Sequence, residues 1–168
     1  IIVYLYRQQI KQTVKVSPGF YEEIAIYPRI ESYLAEQRQR NNEAFLKFIS
    51  RGISEGITRK FNITVQENRK NILVFPFYDE TNELICVKYR KIDFRKGIDK
   101  NKEWFEKDTM PILFGMNHCN GTDRLIVTEG QIDSLSLAEA GIENAVSVPT
   151  GASGFAWFSY CYTWITQF

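Results

Sequence analysis

Two carboxylates, Glu129 and Asp133, stand four residues apart in Leu125-Ile126-Val127-Thr128-Glu129-Gly130-Gln131-Ile132-Asp133. An apolar run that ends in Glu-Gly and passes into a helical pattern puts Glu129 at the carboxyl end of a strand. Asp133 then lies one helical turn on, on the same side. A carboxylate so placed suits binding of Mg²⁺ or work as a general base. Asp133 equally suits the bland task of offsetting the helix dipole, worth about 0.3–1 kcal/mol. Gly151, in the turn after the next apolar run, lets a backbone or phosphate come close. Upstream, Lys88 and Arg90 share one face of a strand about 7 Å apart. That spacing fits neighbouring phosphates of one nucleic-acid strand, and it fits a solvated charged face as well. Trp104-Phe105 sits among Lys96, Lys100, Lys102 and Lys107. An aromatic pair among lysines has the composition of a single-strand stacking platform, or of an anchor pinning a loop to the core.

The elements that must carry these residues follow from period and punctuation. Residues 1–20 end in the loop signal Ser17-Pro18-Gly19. From Tyr21 to about Lys60 the pattern is helical, with Phe45, Phe48 and Ile49 at one-face spacing. Within it, residues 37–42 read as a solvated helix face or connection. Gly52 suits a helix C-cap and Ser54 the N-cap of a short second helix. Ile72 to Tyr78 and Leu84 to Ile92 read as two strands of a hairpin around the turn at Asp79-Glu80-Thr81-Asn82. Pro76 cannot donate a ladder hydrogen bond and is expected at an edge or bulge. Residues 93–112 read as an irregular connection. The remainder is a βαβ unit: a short buried strand over 125–128, a helix over 131–140 closed by Gly141, and a strand over 145–148. So short a crossover requires parallel strands and a right-handed connection. Residues 155–168 form a helix with two apolar stripes, one of Phe155, Phe158, Tyr162 and Ile165, the other of Trp157, Cys161, Trp164 and Phe168. It is too short to cross a bilayer, so it is a core helix whose further partners lie beyond the chain end.

With 12 Phe, 9 Tyr and 3 Trp among 168 residues, the chain carries far more burial than a disordered one. No run of about 20 apolar residues and no signal peptide occurs. The first residue is Ile, which marks an excised piece of a longer protein. Cys86, Cys119 and Cys161 are 33 and 42 residues apart. No zinc-ligand spacing is present, so no zinc is expected, and the thiols suit a reducing compartment. His118, the sole histidine, reads as a loop or surface residue rather than a ligand. The net charge of +1 conceals a sharp asymmetry: residues 88–108 hold eight basic and five acidic side chains, and residues 109–168 hold one and five.

The Glu129 segment resembles the first motif of the TOPRIM domain, most closely that of phage-type and Twinkle-like primase-helicases, less closely that of DnaG-type primases. The likeness runs in order through Arg51-Gly52-Ile53-Ser54, Phe75-Pro76-Phe77-Tyr78-Asp79, Val87-Lys88-Tyr89-Arg90, Leu113-Phe114-Gly115 and Ser147-Val148-Pro149-Thr150-Gly151-Ala152. It covers about residues 45–168 and implies an α+β fold with an α/β TOPRIM-like part. Its divisions are an N-terminal segment (1–44), a basic mixed α/β primase subdomain (45–115) and a partial βαβα TOPRIM subdomain (116–168). It implies a catalytic Glu129, a Mg²⁺ or Mn²⁺ site at Glu129 and Asp133, and nucleotide or nucleic-acid contacts at Lys88, Arg90, Gly130 and Gly151. Lys102, in preference to Lys107, matches the lysine ahead of Leu-Phe-Gly.

The expected function is template-directed synthesis of RNA primers by nucleotidyl transfer. The implied partners are a single-stranded DNA template, ribonucleoside triphosphates and a helicase in the same parent chain. The implied location is the cytoplasm of a bacterial or phage-infected cell. The Asp-x-Asp motif of TOPRIM domains and the zinc ribbon of many primases are both missing, so the chain alone is expected to bind metal weakly and to make no primers. Two other functions fit parts of the pattern: topoisomerase or nuclease cleavage of phosphodiesters, and a non-catalytic single-strand-binding module.

Overall fold

The computed structural model describes residues 21–121, 124–151 and 154–168, with residues 21–31 described by backbone only. The Ser17-Pro18-Gly19 loop lies outside them. The chain divides into two compact units, Ile1–Arg38 and Gln39–Phe168. Every candidate site residue falls in the second.

Helix α1 (Tyr21–Leu46) is followed by a 3-10 turn at Ile49–Arg51 and by α2 (Glu55–Lys60). Gly52 closes the 3-10 turn at φ 70, and the Ser54 hydroxyl accepts from the Ile57 N–H at 3.3 Å, capping α2. Residues 37–42 are interior to α1 rather than a connection. Arg40 Nε donates to the Val65 carbonyl at 3.0 Å and Asn41 to that of Ile63 at 2.6 Å. Ala44 and Phe48 face the core, but Ile49 is 54% exposed, because α1 ends at Leu46 and the tighter 3-10 turn swings Ile49 outward.

Four antiparallel strands follow in sequential order: β1 (Thr64–Gln66), β2 (Arg69–Tyr78), β3 (Leu84–Lys91) and β4 (Glu103–Phe105). The Asp79 carboxylate organises the β2–β3 turn by accepting from Thr81 N–H, Thr81 Oγ1 and Glu83 N–H. Pro76 pairs with Val87 of β3, while β1 reaches only to Val74. The proline therefore lies where β2 has outrun its other neighbour, and no ladder bond is lost. Strand β4 lies inside the stretch expected to be irregular; three residues are too few to show a period, and its pairing with β3 is non-local.

The second layer is β5 (Ile126–Thr128), α3 (Gln131–Glu139), β6 (Ala145–Ser147) and α4 (Ala156–Ile165), with β5 and β6 parallel. Gly141, at φ 77, follows α3 as expected. Strand β5 is less buried than its apolar sequence predicts, with Ile126 37% and Val127 45% exposed, because β6 is its sole partner strand among the described residues. Of the two stripes of α4, Trp157, Cys161 and Trp164 enter the core, and Phe155 and Phe158 remain outside. The two layers share one core centred on Phe114, whose ring meets Phe61 at 5.6 Å, Phe75 at 6.0 Å and Phe77 at 5.1 Å. Phe114 also exchanges two backbone hydrogen bonds with Ser147, at 2.9 and 3.1 Å, which joins the Leu113-Phe114-Gly115 segment to β6.

Candidate functional site

The carboxyl end of β5 passes through Glu129 and Gly130 into α3. Glu129 is exposed and, among the described residues, has neither a hydrogen bond nor an ion pair. Gly151 has φ +78, and a Cβ placed on it would lie 3.6 Å from Glu129 Oε1. The turn after β6 is thus laid against the carboxylate at the end of β5, as parallel pairing of the two strands requires. Asp133 is exposed in the first turn of α3, and its Oδ2 would stand 3.0 Å from a Cβ on Gly130. Any side chain at 130 would crowd that carboxylate. Two free carboxylates thus stand at one strand-to-helix junction, and carboxylate oxygens are the hard donors that Mg²⁺ and Mn²⁺ take. Among the described residues no group of three or more His, Cys, Asp or Glu comes together.

Lys88 is not on a solvated face. It is 4% exposed, and its ammonium meets Glu103 Oε2 at 2.7 Å, Gln131 Oε1 at 2.9 Å and the Pro149 carbonyl at 2.9 Å. Three N–H donors have three oxygen partners, and the Phe105 ring centroid lies 5.5 Å below. Gln131, itself 2% exposed, donates from Nε2 to Ser147 Oγ at 3.0 Å and to the Val148 carbonyl at 2.9 Å. One cation on β3 is therefore tied to the first turn of α3 and to the chain two residues before Gly151. Sequence reasoning passed over Gln131. Its only signal is an amide side chain directly after Glu-Gly, where helices usually carry Asp, Glu or a small residue.

Arg90 shares the Lys88 face, as the two-residue period requires, and binds Glu103 Oε1 at 2.8 Å. Glu103 thereby bridges both cations. Burial alone would raise its carboxyl, but the Lys88 hydrogen bond and the charges of Lys88, Arg90 and Lys102 outweigh this and hold it below the usual carboxylate range. Lys102 and Lys107 are exposed on either side of β4, away from the enclosed Lys88 cluster. Trp104 and Phe105 part company. Phe105 packs on Phe77 at 6.0 Å on the core side, and Trp104 stacks on Tyr89 on the other face at 5.5 Å and 19°.

His118 is half-buried rather than a surface residue, with its ring centroid 4.2 Å from that of Phe61. Burial, with a smaller contribution from the Lys60 charge, pushes its imidazole down to about 4 from 6.5. A folded value below the unfolded one means that the neutral form carries the stability, present in full above about pH 6.5 and lost as pH falls toward 4. Urea unfolding is expected to show a loss of about 1–2 kcal/mol between pH 6.5 and 5, reduced by partial solvent exposure. His118→Leu flattens that limb; an unchanged slope would place the titration elsewhere. The thiols are free, and burial pushes Cys86 and Cys119 up to about 11.

No family model matches the chain. Over 106 residues, 62% of the chain, it is 36% identical to a protein named primase homolog protein from Arabidopsis thaliana and 33% identical to the Twinkle homolog protein, chloroplastic/mitochondrial, of the same plant. The aligned stretch spans 29% of the first relative and 14% of the second. The primase fragment of the bacteriophage T7 primase-helicase is similar at 25% identity and TM-score 0.56, over 71% of this chain and 49% of that one. The RNA polymerase domain of Mycobacterium tuberculosis primase DnaG, solved with double-stranded DNA, superposes with TM-score 0.61 at 15% identity, over 82% of this chain and 59% of its own. The fold is that of the DnaG-type primase catalytic core.

Proposed function

We propose that this chain is the nucleotide-facing and metal-facing core of a DNA primase, acting in template-directed synthesis of RNA primers. The observation that carries this reading is the Glu129 carboxylate, unpaired at the end of β5 and set beside the Gly151 turn. The similarity to proteins named primase and Twinkle homolog supports it. Residues 45–115 supply the basic part and residues 116–168 the acidic part, with residues 1–44 ahead of them.

Glu129 and Asp133 are the residues that would hold Mg²⁺ or Mn²⁺. When bound, such an ion neutralises negative charge on phosphate oxygens. Gly130 and Gly151 leave room for a phosphate beside the carboxylates. Arg90, Lys102 and Lys107 offer cations toward the nucleotide or the single-stranded DNA template, and Lys88 holds Gln131 and the Pro149 carbonyl in register with the turn. Ribonucleoside triphosphates are the substrates, and a helicase in the same parent chain is the natural companion of this core. Three free thiols support a reducing compartment. Among the described residues no helix is long and apolar enough to cross a membrane.

Mn²⁺ binding to the 168-residue chain, followed by electron paramagnetic resonance, tests the reading. Weak binding is expected, strengthened by added ATP and reduced about tenfold or more in Glu129→Gln. Equal Mn²⁺ affinity in the variant would overturn the assignment of Glu129. Primer synthesis by the chain alone is expected to be undetectable, because two carboxylates do not complete a catalytic metal site. Template-dependent products from it would overturn that limit.

A further inference from the structure

The antiparallel sheet has a second side that the Glu129 site does not use. A groove of about 490 Å³ lies there, lined by Arg69, Ile72, Lys91, Asp99, Lys100, Asn101 and Trp104. This volume is in the range of small-molecule sites. Its composition follows from the strand period. Phe105 and Glu103 pair with Lys88 and Arg90 toward the core, so Trp104, opposite Tyr89, must face away. The stacked Tyr89–Trp104 pair gives the groove a flat aromatic wall at the half-buried indole, and Ile72, 3% exposed, forms an apolar floor.

The charges sort into used and unused. Asp99 is committed, accepting from Lys91 Nζ at 2.5 Å and from the Arg95 N–H at 2.6 Å, and these contacts hold its carboxyl below the usual range. Lys91 is thereby neutralised, and its N–H donates to the Lys102 carbonyl at 2.9 Å, which fixes the loop to the sheet. The side chains of Arg69 and Lys100 are exposed and have no hydrogen-bond or ion-pair partner among the described residues. Two uncommitted cations therefore share the groove with one half-buried indole, and Asp99, its only carboxylate among the described residues, is already neutralised.

We propose that this groove binds a segment of single-stranded nucleic acid, with a base stacked on Trp104 and the adjoining phosphates at Arg69 and Lys100. Aromatic stacking next to cations is how single strands are held without sequence readout. An extended strand has the right chemistry because it repeats a π-face and a phosphate at each unit. The surface lies on the opposite side of the sheet from Lys88 and Arg90, and it stands independently of what Glu129 does.

The test is titration of the chain with a twelve-nucleotide oligothymidylate at low salt, following tryptophan emission and the anisotropy of a labelled copy. Trp157 and Trp164 are buried, so quenching is expected to come from Trp104 and to vanish in Trp104→Phe, which keeps a ring against Tyr89. Trp104→Leu weakens binding about tenfold, the scale of one lost stack. Arg69→Ala with Lys100→Ala lowers the salt slope by about 1.4, two phosphates' worth for a single strand. Glu129→Gln leaves both signals unchanged. Quenching that persists in Trp104→Phe, a salt slope unmoved by the double variant, or loss of the signal in Glu129→Gln would overturn the proposal. So would equal affinity for an abasic oligomer, which would mean charge alone, or equal quenching by ATP at the same concentration, which would mean a mononucleotide site.

Discussion

Lys88→Met is expected to lower the unfolding free energy by about 3 kcal/mol, as read from urea denaturation followed by circular dichroism. Methionine fills similar space, so the loss isolates the ammonium. Without it, Gln131 Oε1 and the Pro149 carbonyl each lose a partner in a region that water does not reach, and Glu103 keeps only Arg90. Removing one member of a buried ion pair costs about 3–5 kcal/mol. The lower end applies because the Glu103 side chain is 30% exposed and remains partly paired. Arg90→Met supplies the contrast. Arg90 has a side-chain exposure of 24% and a single partner, so about 0.5–1 kcal/mol is expected. Equal losses from the two variants would mean that Lys88 contributes only as an ordinary ion-pair member.

Phe114→Ala is expected to be the most damaging single truncation, at about 3–5 kcal/mol. The side chain is 1% exposed, and its ring touches Phe61, Phe75 and Phe77, so truncation strips three aromatic contacts at once from the residue whose backbone is bridged to β6. The backbone bridge to Ser147 holds the position in place and limits collapse. Phe158→Ala, on the exposed stripe of α4, is expected to stay within about 0.5 kcal/mol. A Phe114 variant that unfolds at nearly the wild-type urea midpoint would show that the layers hold together without this ring.

What could be read in advance was set by local chemistry. The Ser54 cap, the Asp79 turn, the Gly141 stop and the parallel β5–α3–β6 unit each depend on residues within a few positions of one another, and each stands where its punctuation put it. The free carboxylate of Glu129 beside Gly151 also follows from strand ends that a short crossover brings together. Apart from Ile49, which a local 3-10 turn carries out of the core, the failures are non-local. Strand β4 is fixed by the edge that β3 offers, since three residues are too few to show a strand period on their own. Lys88 looks like any solvated strand lysine until its partners arrive from β4, α3 and the β6 turn. The exposure of Ile126 and Val127 depends on which strands are present beside them, which apolarity cannot report.

The hydrogen bonds of Lys88 to Gln131 and Pro149 close loops of 43 and 61 residues. A ribosome adding about 5–20 residues per second needs roughly 3–12 s to deliver Pro149 after Lys88. A β-hairpin forms in about 1–10 μs. The β2–β3 hairpin is therefore complete long before the acceptors of its own lysine exist, and during that interval the ammonium is hydrated at an unfinished surface. Dehydration of Lys88 waits until the turn that flanks Glu129 docks. The step that buries this lysine is thus the same step that shapes the site.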